Sequence, residues 1–397
     1  MSLKDSKLFQ VHRKSDYPPM ADQLKAVFNQ LLELRKSKGQ QTRKASRIRQ
    51  TMDALILDCW VSSKYDPNPW RAVSRNRNDY VKGTRYRRLF FKVDIFIGVL
   101  DDLIELGFIE QKIGFHDRRS GIGYQTRIKL TDKALDFLDF DIKQIERNPE
   151  VPEDETIIKK DASGHLLDYV DDRFTNAMRD EVKGYNNMVG TAEINTNDIE
   201  LKFRYDPTNV LLKRVFNGEG GGRFYGGFWQ QLPKEDRLKL KLDGESVVEL
   251  DFVALHPAIA YSLQGFELAF DPYLIEGCER KDVKKAFLCL FNCESRKQAI
   301  NTIRSEFHVK GAASLLHRIE EEHGLIADCF YNPAFGLMLQ NTDSWLCEKV
   351  LKKLMKQGIL VLPIHDSFLV KGSYEEELRR AMSDSFFELF CVRPKIK

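Results

Sequence analysis

The chain has 397 residues, 42% hydrophobic and 30% charged, with 62 Lys and Arg against 59 Asp and Glu for a formal net charge of +3. That balance supports packed cores in about two or three domains and excludes wholesale disorder. No run of eighteen apolar residues and no signal-peptide core is present, while seven cysteines without a CxxC pair point to free thiols in a reducing cytoplasm, with no disulfide framework or zinc site.

The small net charge hides an uneven distribution. Residues 1–50 carry twelve Lys and Arg against four Asp and Glu, seven of the basic ones between Arg35 and Arg49. They are expected to form a basic helical arm. Residues 21–60 read as helix, with Leu24, Val27, Phe28, Leu31, Leu32 and Leu34 at helical spacing. A second basic run holds Arg71, Arg75, Arg77, Lys82, Arg85, Arg87, Arg88 and Lys92, opposed only by Asp79. Such density suits a polyanion, because each neutralised phosphate releases condensed counterions.

From Val93 to Leu106 an apolar stripe of Val93, Phe96, Ile97, Leu100, Leu103 and Ile104 predicts a helix that Gly107 ends. Residues 108–113 read as a strand, 114–123 as a polar tip containing Arg118 and Arg119, and 124–130 as the return strand. Thr131 is placed to cap one more helix, 132–138. Helix, basic-tipped hairpin and helix together resemble a winged helix-turn-helix module spanning 51–145. In that family one helix enters the major groove and the wing touches backbone, which implies DNA contacts at Arg118 and Arg119, supported by Arg85, Arg87 and Arg88. The segment 146–160, with two prolines and five acidic residues by Thr156, reads as a linker. Residues 161–397 form the next domain.

Two segments there run from aliphatic residues to an aspartate, Val247 to Asp251 and Gly358 to Asp366. Each reads as a buried strand. A carboxylate in such a strand is costly unless paired or bound to a cation, so two side by side would share a pair of Mg²⁺ ions, with Mn²⁺ as substitute, for in-line nucleotidyl transfer. Between them Arg280 and Lys284 are four residues apart, facing the same way on a helix, and would bracket a triphosphate. Tyr225, Phe228 and Trp229 read either as base-stacking platforms or as core.

These segments resemble the family A DNA polymerases and their relatives, the single-subunit phage-type RNA polymerases. Asp251 matches the first palm motif, whose aspartate binds both metals with help from the next carbonyl, here Phe252. His365 and Asp366 match the His-Asp hairpin turn. Arg280 and Lys284 match the fingers helix. Gly222–Arg223 with Gln231–Pro233 and Arg237 resembles the segment whose arginine touches primer and template, and Gln340–Asp343 resembles the helix near the primer terminus. The likeness covers about 205–390, with all five segments in family order. It departs at His256, where DNA polymerases of the family carry a Glu that excludes the ribose 2′-hydroxyl. Ser367 replaces another Glu, and Leu288 and Asn292–Cys293 replace an aromatic and Tyr-Gly.

The resemblance implies an α+β chain with a right-hand palm, reduced fingers and an N-terminal winged-helix-like module. It implies a small DNA polymerase without proofreading, using a DNA or RNA template and primer, nucleoside triphosphates and two Mg²⁺. DNA-dependent RNA polymerase or primase activity is the alternative. His256 and Leu288 would border the nucleotide; Arg223, Arg237, Gln340 and His365 would border the primer–template. A reading of another class is a winged-helix initiator or regulator with a non-catalytic palm. Fusion to a DNA-binding module suggests a mobile element or phage, with replication proteins as partners and no membrane.

Overall fold

The computed structural model describes residues 6–40, 42–65, 68–77, 85–86, 92–116, 123–148, 155–161, 163–199, 207, 209–218 and 220–397. The chain divides into two compact units, residues 1–155 with 200–210, and residues 156–199 with 211–397. Each mixes helices with small sheets, an α+β organisation. Among the described residues no helix is long and apolar enough to cross a membrane.

The first unit runs β1 (Lys7–Leu8), β2 (Arg13–Lys14), α1 (Pro18–Ser37), α2 (Ala45–Tyr65), β3 (Arg71–Val73), α3 (Val93–Glu105), β4 (Ile109–Lys112), β5 (Phe115–His116), β6 (Gly123–Tyr124), β7 (Thr126–Leu130), α4 (Asp132–Phe137) and β8 (Glu146–Arg147). The helix expected over 21–60 is broken. Gly39 takes φ 66°, a conformation that costs glycine little, and the chain turns there between α1 and α2. Met20, Leu24, Val27 and Leu31 line one stripe of α1 and are buried with Ile48, Met52 and Leu55 of α2 and Phe96, Leu100 and Leu103 of α3. Helix α1 and the start of α2 therefore correct the expectation of a separate arm over 1–50: they help build this core.

The α3–hairpin–α4 pattern read from the sequence is present. Gly107 (φ 73°) ends α3, β4 pairs antiparallel with β7 so that Ile109 faces Leu130, and β3 adds to the other side of β7. Thr131 caps α4 by accepting the Ala134 N–H at 3.2 Å. Beneath the sheet Asp58, fully buried, accepts from Arg13 Nε (2.9 Å), Arg71 Nε (3.2 Å) and the Gln10 amide (3.0 Å). A buried carboxylate persists because it is compensated in this way. The acidic 146–160 segment is not wholly a linker: β8 pairs with β2, residues 157–160 form a strand of the second unit, and 149–154 lie outside the described residues.

The second unit runs β9 (Ile157–Lys160), α5 (Arg173–Thr191), β10 (Ile194–Asn195), β11 (Lys213–Asn217), β12 (Gly220–Tyr225), α6 (Lys234–Arg237), β13 (Lys241–Leu242), β14 (Glu245–Asp251), α7 (Leu255–Leu263), α8 (Arg280–Asn292), α9 (Arg296–Ser305), α10 (Ala312–Glu322), α11 (Pro333–Met355), β15 (Leu362–Ile364), β16 (Ser367–Lys371) and α12 (Glu375–Phe390). Its main sheet is antiparallel throughout, in the order β10-β13-β14-β16-β15. The apolar run before Asp366 forms β15, and the chain turns at His365–Asp366 into β16, which pairs antiparallel with it. Phe252 packs edge-on against Phe368 (6.4 Å) and lies 6.1 Å from Phe386 of α12, tying strand ends to the covering helix. Trp229 is fully buried and donates from Nε1 to the Pro363 carbonyl at 3.1 Å, so of its two readings it takes the core one.

Candidate active site

Strand register brings the two aspartates together. Asp251 ends β14 directly opposite Ser367, the first residue of β16, and Asp366 is the preceding turn residue. The Phe252 amide donates to the Asp366 carbonyl at 3.3 Å, closing the gap between strand end and turn. Two non-glycine residues with left-handed backbone flank the pair, Ala254 at φ 49° and His365 at φ 58°. Such strain is held only where surrounding structure over-determines it, and it gathers at functional sites. Burial pushes the Asp251 carboxyl above its ordinary range, the Asp366 charge pushes it the same way, and Lys397 opposes both. The Lys397 ammonium stands 3.5 Å from Asp251 Oδ2, carried there by residues 395–397, whose backbone pairs with 251–253.

Below this pair the strands are cross-braced. Arg237 grips Glu249 of β14 with Nε at 2.9 Å and its terminal nitrogen at 2.6 Å, and Ser367 Oγ donates to the same carboxylate at 3.2 Å. Arg237 was expected at the primer–template; its guanidinium is instead committed to Glu249 and the Leu232 carbonyl. Removing it would strand a nearly buried carboxylate, at a cost of about 3–5 kcal/mol.

On α8, Arg280 is the first helical residue, with Lys284 one turn on and Leu288 another; all three are exposed on one face. Arg280 donates to Asp271 at 2.7 Å and lies 5.2 Å from the Tyr273 ring centre. Tyr273 is buried against Phe287, and its hydroxyl is held high by burial, with Arg280 opposing and Asp366, Asp271 and Asp251 adding to the rise. It therefore sits within the field of both aspartates and Arg280. Sequence reasoning missed it. The loop carrying it is anchored by fully buried His323, whose Nε2 meets the Pro272 carbonyl at 2.9 Å and whose Nδ1 meets the Tyr261 hydroxyl at 2.8 Å. A carbonyl only accepts, so Nε2 carries the proton and the tyrosine donates to Nδ1.

On the other flank Arg223 of β12 pairs with buried Asp343 of α11 at 2.7 Å. Burial pushes the Asp343 carboxyl up to about 6 despite that arginine. Arg223 Nε and His365 Nδ1 are buried without a hydrogen-bond partner among the described residues, and Tyr225 meets the His365 ring edge-on at 5.6 Å. His256, near the start of α7, is pushed down to about 4 by burial and by Arg223, so it is neutral at pH 7. Gln340 is half-buried on α11, three residues before Asp343.

Asp251, Phe252, His256, Arg223 and His365 thus gather around Asp366, with Arg280 linked to them through Tyr273. In the first unit Arg85 pairs with Glu155 at 3.1 Å. Arg87, Arg88, Arg118 and Arg119 lie outside the described residues. No group of three or more His, Cys, Asp or Glu disposed to hold a metal is found among the described residues; the donor set at the aspartates is two carboxylates plus backbone. No protein-family model and no curated protein matches the chain, so the reading rests on this geometry and on the sequence motifs.

Proposed function

We propose that the second unit is a template-directed nucleotidyltransferase extending a nucleic-acid 3′-hydroxyl, a small family A-like polymerase hand with the five-stranded sheet as palm and α8 as fingers helix. The observation that carries this reading is the adjacency of Asp251 and Asp366 at hydrogen-bonded strand ends. Two carboxylates with the Phe252 carbonyl form an all-oxygen donor set, which suits Mg²⁺ or Mn²⁺. When bound, such cations supply activation of the attacking oxygen and charge stabilisation for departing pyrophosphate.

The chain's own residues do the holding. Arg280 would exchange Asp271 for a phosphate fork and Lys284 would add a point charge one turn along. Exposed Leu288 offers an apolar face to the base. Neutral His256 borders the sugar, and Arg223, His365 and Gln340 border the primer end. Deoxynucleotides are the preferred substrate class, with ribonucleotides the alternative that His256 and Ser367 keep open. In the first unit the order α2, β3, α3 and the β4–β7 hairpin, with β7 central, supports a winged-helix module docking the template.

Primer extension in Mg²⁺ with dNTPs and with NTPs, with and without template, tests the proposal. Templated, metal-dependent elongation that disappears in Asp366→Asn is expected, and elongation surviving that change overturns the site. The second reading, a regulator with a non-catalytic palm, is favoured by one observation, the Lys397 ammonium already beside Asp251. It would give no thermal shift with Mn²⁺ and nucleotide.

A further inference from the structure

In the second basic run of the first unit, four of the described cations are paired with carboxylates. Arg71 is buried on Asp58, Arg75 pairs with Asp101, Arg77 with Asp94 (3.2 Å) and Arg85 with Glu155. On the hairpin, Lys129 pairs with Glu110 at 2.6 Å and shares the Trp70 ring with Lys112. Helix α3 meanwhile exposes Asp94, Asp101 and Glu105. A polyanion approaching α3 would meet carboxylates together with the cations that already pair with them.

The α1–α2 connection is different. From Leu34 to Met52 there is no acidic residue. Arg35 is bonded to Asp102, Lys38 to Glu105 and Arg49 to Asp53, but Lys36, Arg43, Lys44 and Arg47 are exposed and have no carboxylate partner among the described residues. All four stand within one turn of the connection: Lys36 in the last turn of α1, Arg43 and Lys44 in the link, Arg47 in the first turn of α2. The N-terminal amides of α2 add partial positive charge there, and its first turn holds no acidic residue to cancel it.

We propose that the α1–α2 turn is the surface by which the first unit grips the phosphate backbone of a nucleic-acid duplex, with Lys36, Arg43, Lys44 and Arg47 as the contacts. The inference takes only the identity of the polyanion from the function proposed above. The four cations match a phosphate backbone in sign, and with no carboxylate partner among the described residues they give up no ion pair there on binding. This is a sequence-independent docking contact; it positions the duplex and reads no base.

The test is fluorescence anisotropy of the full chain on a short DNA duplex, in EDTA without nucleotide, across a salt series. For K36Q/R43Q/K44Q/R47Q the log–log salt slope should fall by about 3.6, at roughly 0.9 for each phosphate no longer neutralised. Circular dichroism should show an unchanged fold. R75Q/R77Q, which removes cations already paired, should leave the slope as in the wild type. An unchanged slope in the quadruple variant, or an equal fall in the control, overturns the proposal. So does loss of sedimentation with phosphatidylserine vesicles while duplex binding persists, which would reassign the turn to a membrane surface. Because the assay contains neither metal nor nucleotide, its failure leaves the nucleotidyl-transfer reading standing, and absence of incorporation leaves this one standing.

Discussion

Two sets of acidic residues, one in each unit, are handled in opposite ways. In the first, Asp58 lies between two guanidinium groups, Asp102 meets Arg35, and Asp101 and Asp94 meet Arg75 and Arg77. In the second, Asp251 and Asp366 are neighbours, and Lys397, itself 63% exposed, is the cation paired with Asp251. Balanced pairs of the first kind are structural. Like charges kept side by side work against the fold and persist where a ligand completes them. The contrast separates residues that hold the protein together from residues that act on something else.

The largest effect expected from this contrast is at the carboxylate pair. Asp251→Asn should lower nucleotide incorporation by about a thousandfold, the scale of losing one preorganised electrostatic contact at a reaction centre. Its thermal midpoint should match or exceed that of the wild type, because a like-charge repulsion is relieved. A large drop in midpoint would show the pair to be structural. Asp58→Asn should do the reverse. Leaving Arg13 and Arg71 buried without their anion should cost about 3–5 kcal/mol, read by urea denaturation as early loss of the first unit's transition.

His323 tests the link between packing and site. Burial holds its imidazole below the ordinary range, so between the folded and unfolded values the unfolded chain binds more protons and stability falls as pH is lowered. Wild type should therefore lose more stability than His323→Asn when taken from pH 7 towards pH 5, by chemical denaturation at each pH. At neutral pH that variant should raise the nucleotide KM more than it lowers kcat, since the 271–273 loop carrying Asp271 and Tyr273 loses its anchor. A fall in kcat alone would put the histidine elsewhere in the mechanism. The smallest effect belongs to Lys397→Met, which should tighten Mn²⁺ binding a few-fold by electron paramagnetic resonance, in line with about 0.2–1 kcal/mol for an exposed pair. Weaker binding would make the lysine an ally of the metal site.

Legibility in the sequence followed the range of the interaction. The aspartates stand out because an aliphatic strand announces itself locally and a carboxylate at its end is conspicuous. The α3 stripe and the hairpin behind it are local patterns too. The break at Gly39 falls in the polar stretch between Leu34 and Ile48, where Ala45 is the one apolar side chain, so helical spacing had nothing there to register it. Charge pairing was illegible: Arg35 meets Asp102 and Arg85 meets Glu155 across long stretches of chain, so the basic runs looked more available than they are. Arg237 read as a nucleic-acid contact because nothing in the sequence says that Glu249, pointing from the strand that carries Asp251, takes it. Tyr273 and His323 carry no motif of their own and become visible only once the loop and helix that hold them have folded together.

The facing of Asp251 and Ser367 also bears on which length changes the chain tolerates. Side chains alternate along a strand, so deleting one residue between Val247 and Leu250, or between Phe368 and Val370, would reverse every side chain beyond it. Leu250 and Phe368 would move to the opposite face of the sheet, and the braced Glu249 would slip from Arg237 in the same stroke. Indels there cannot be absorbed piecemeal: hydrophobic interior and carboxylate pair would be lost together.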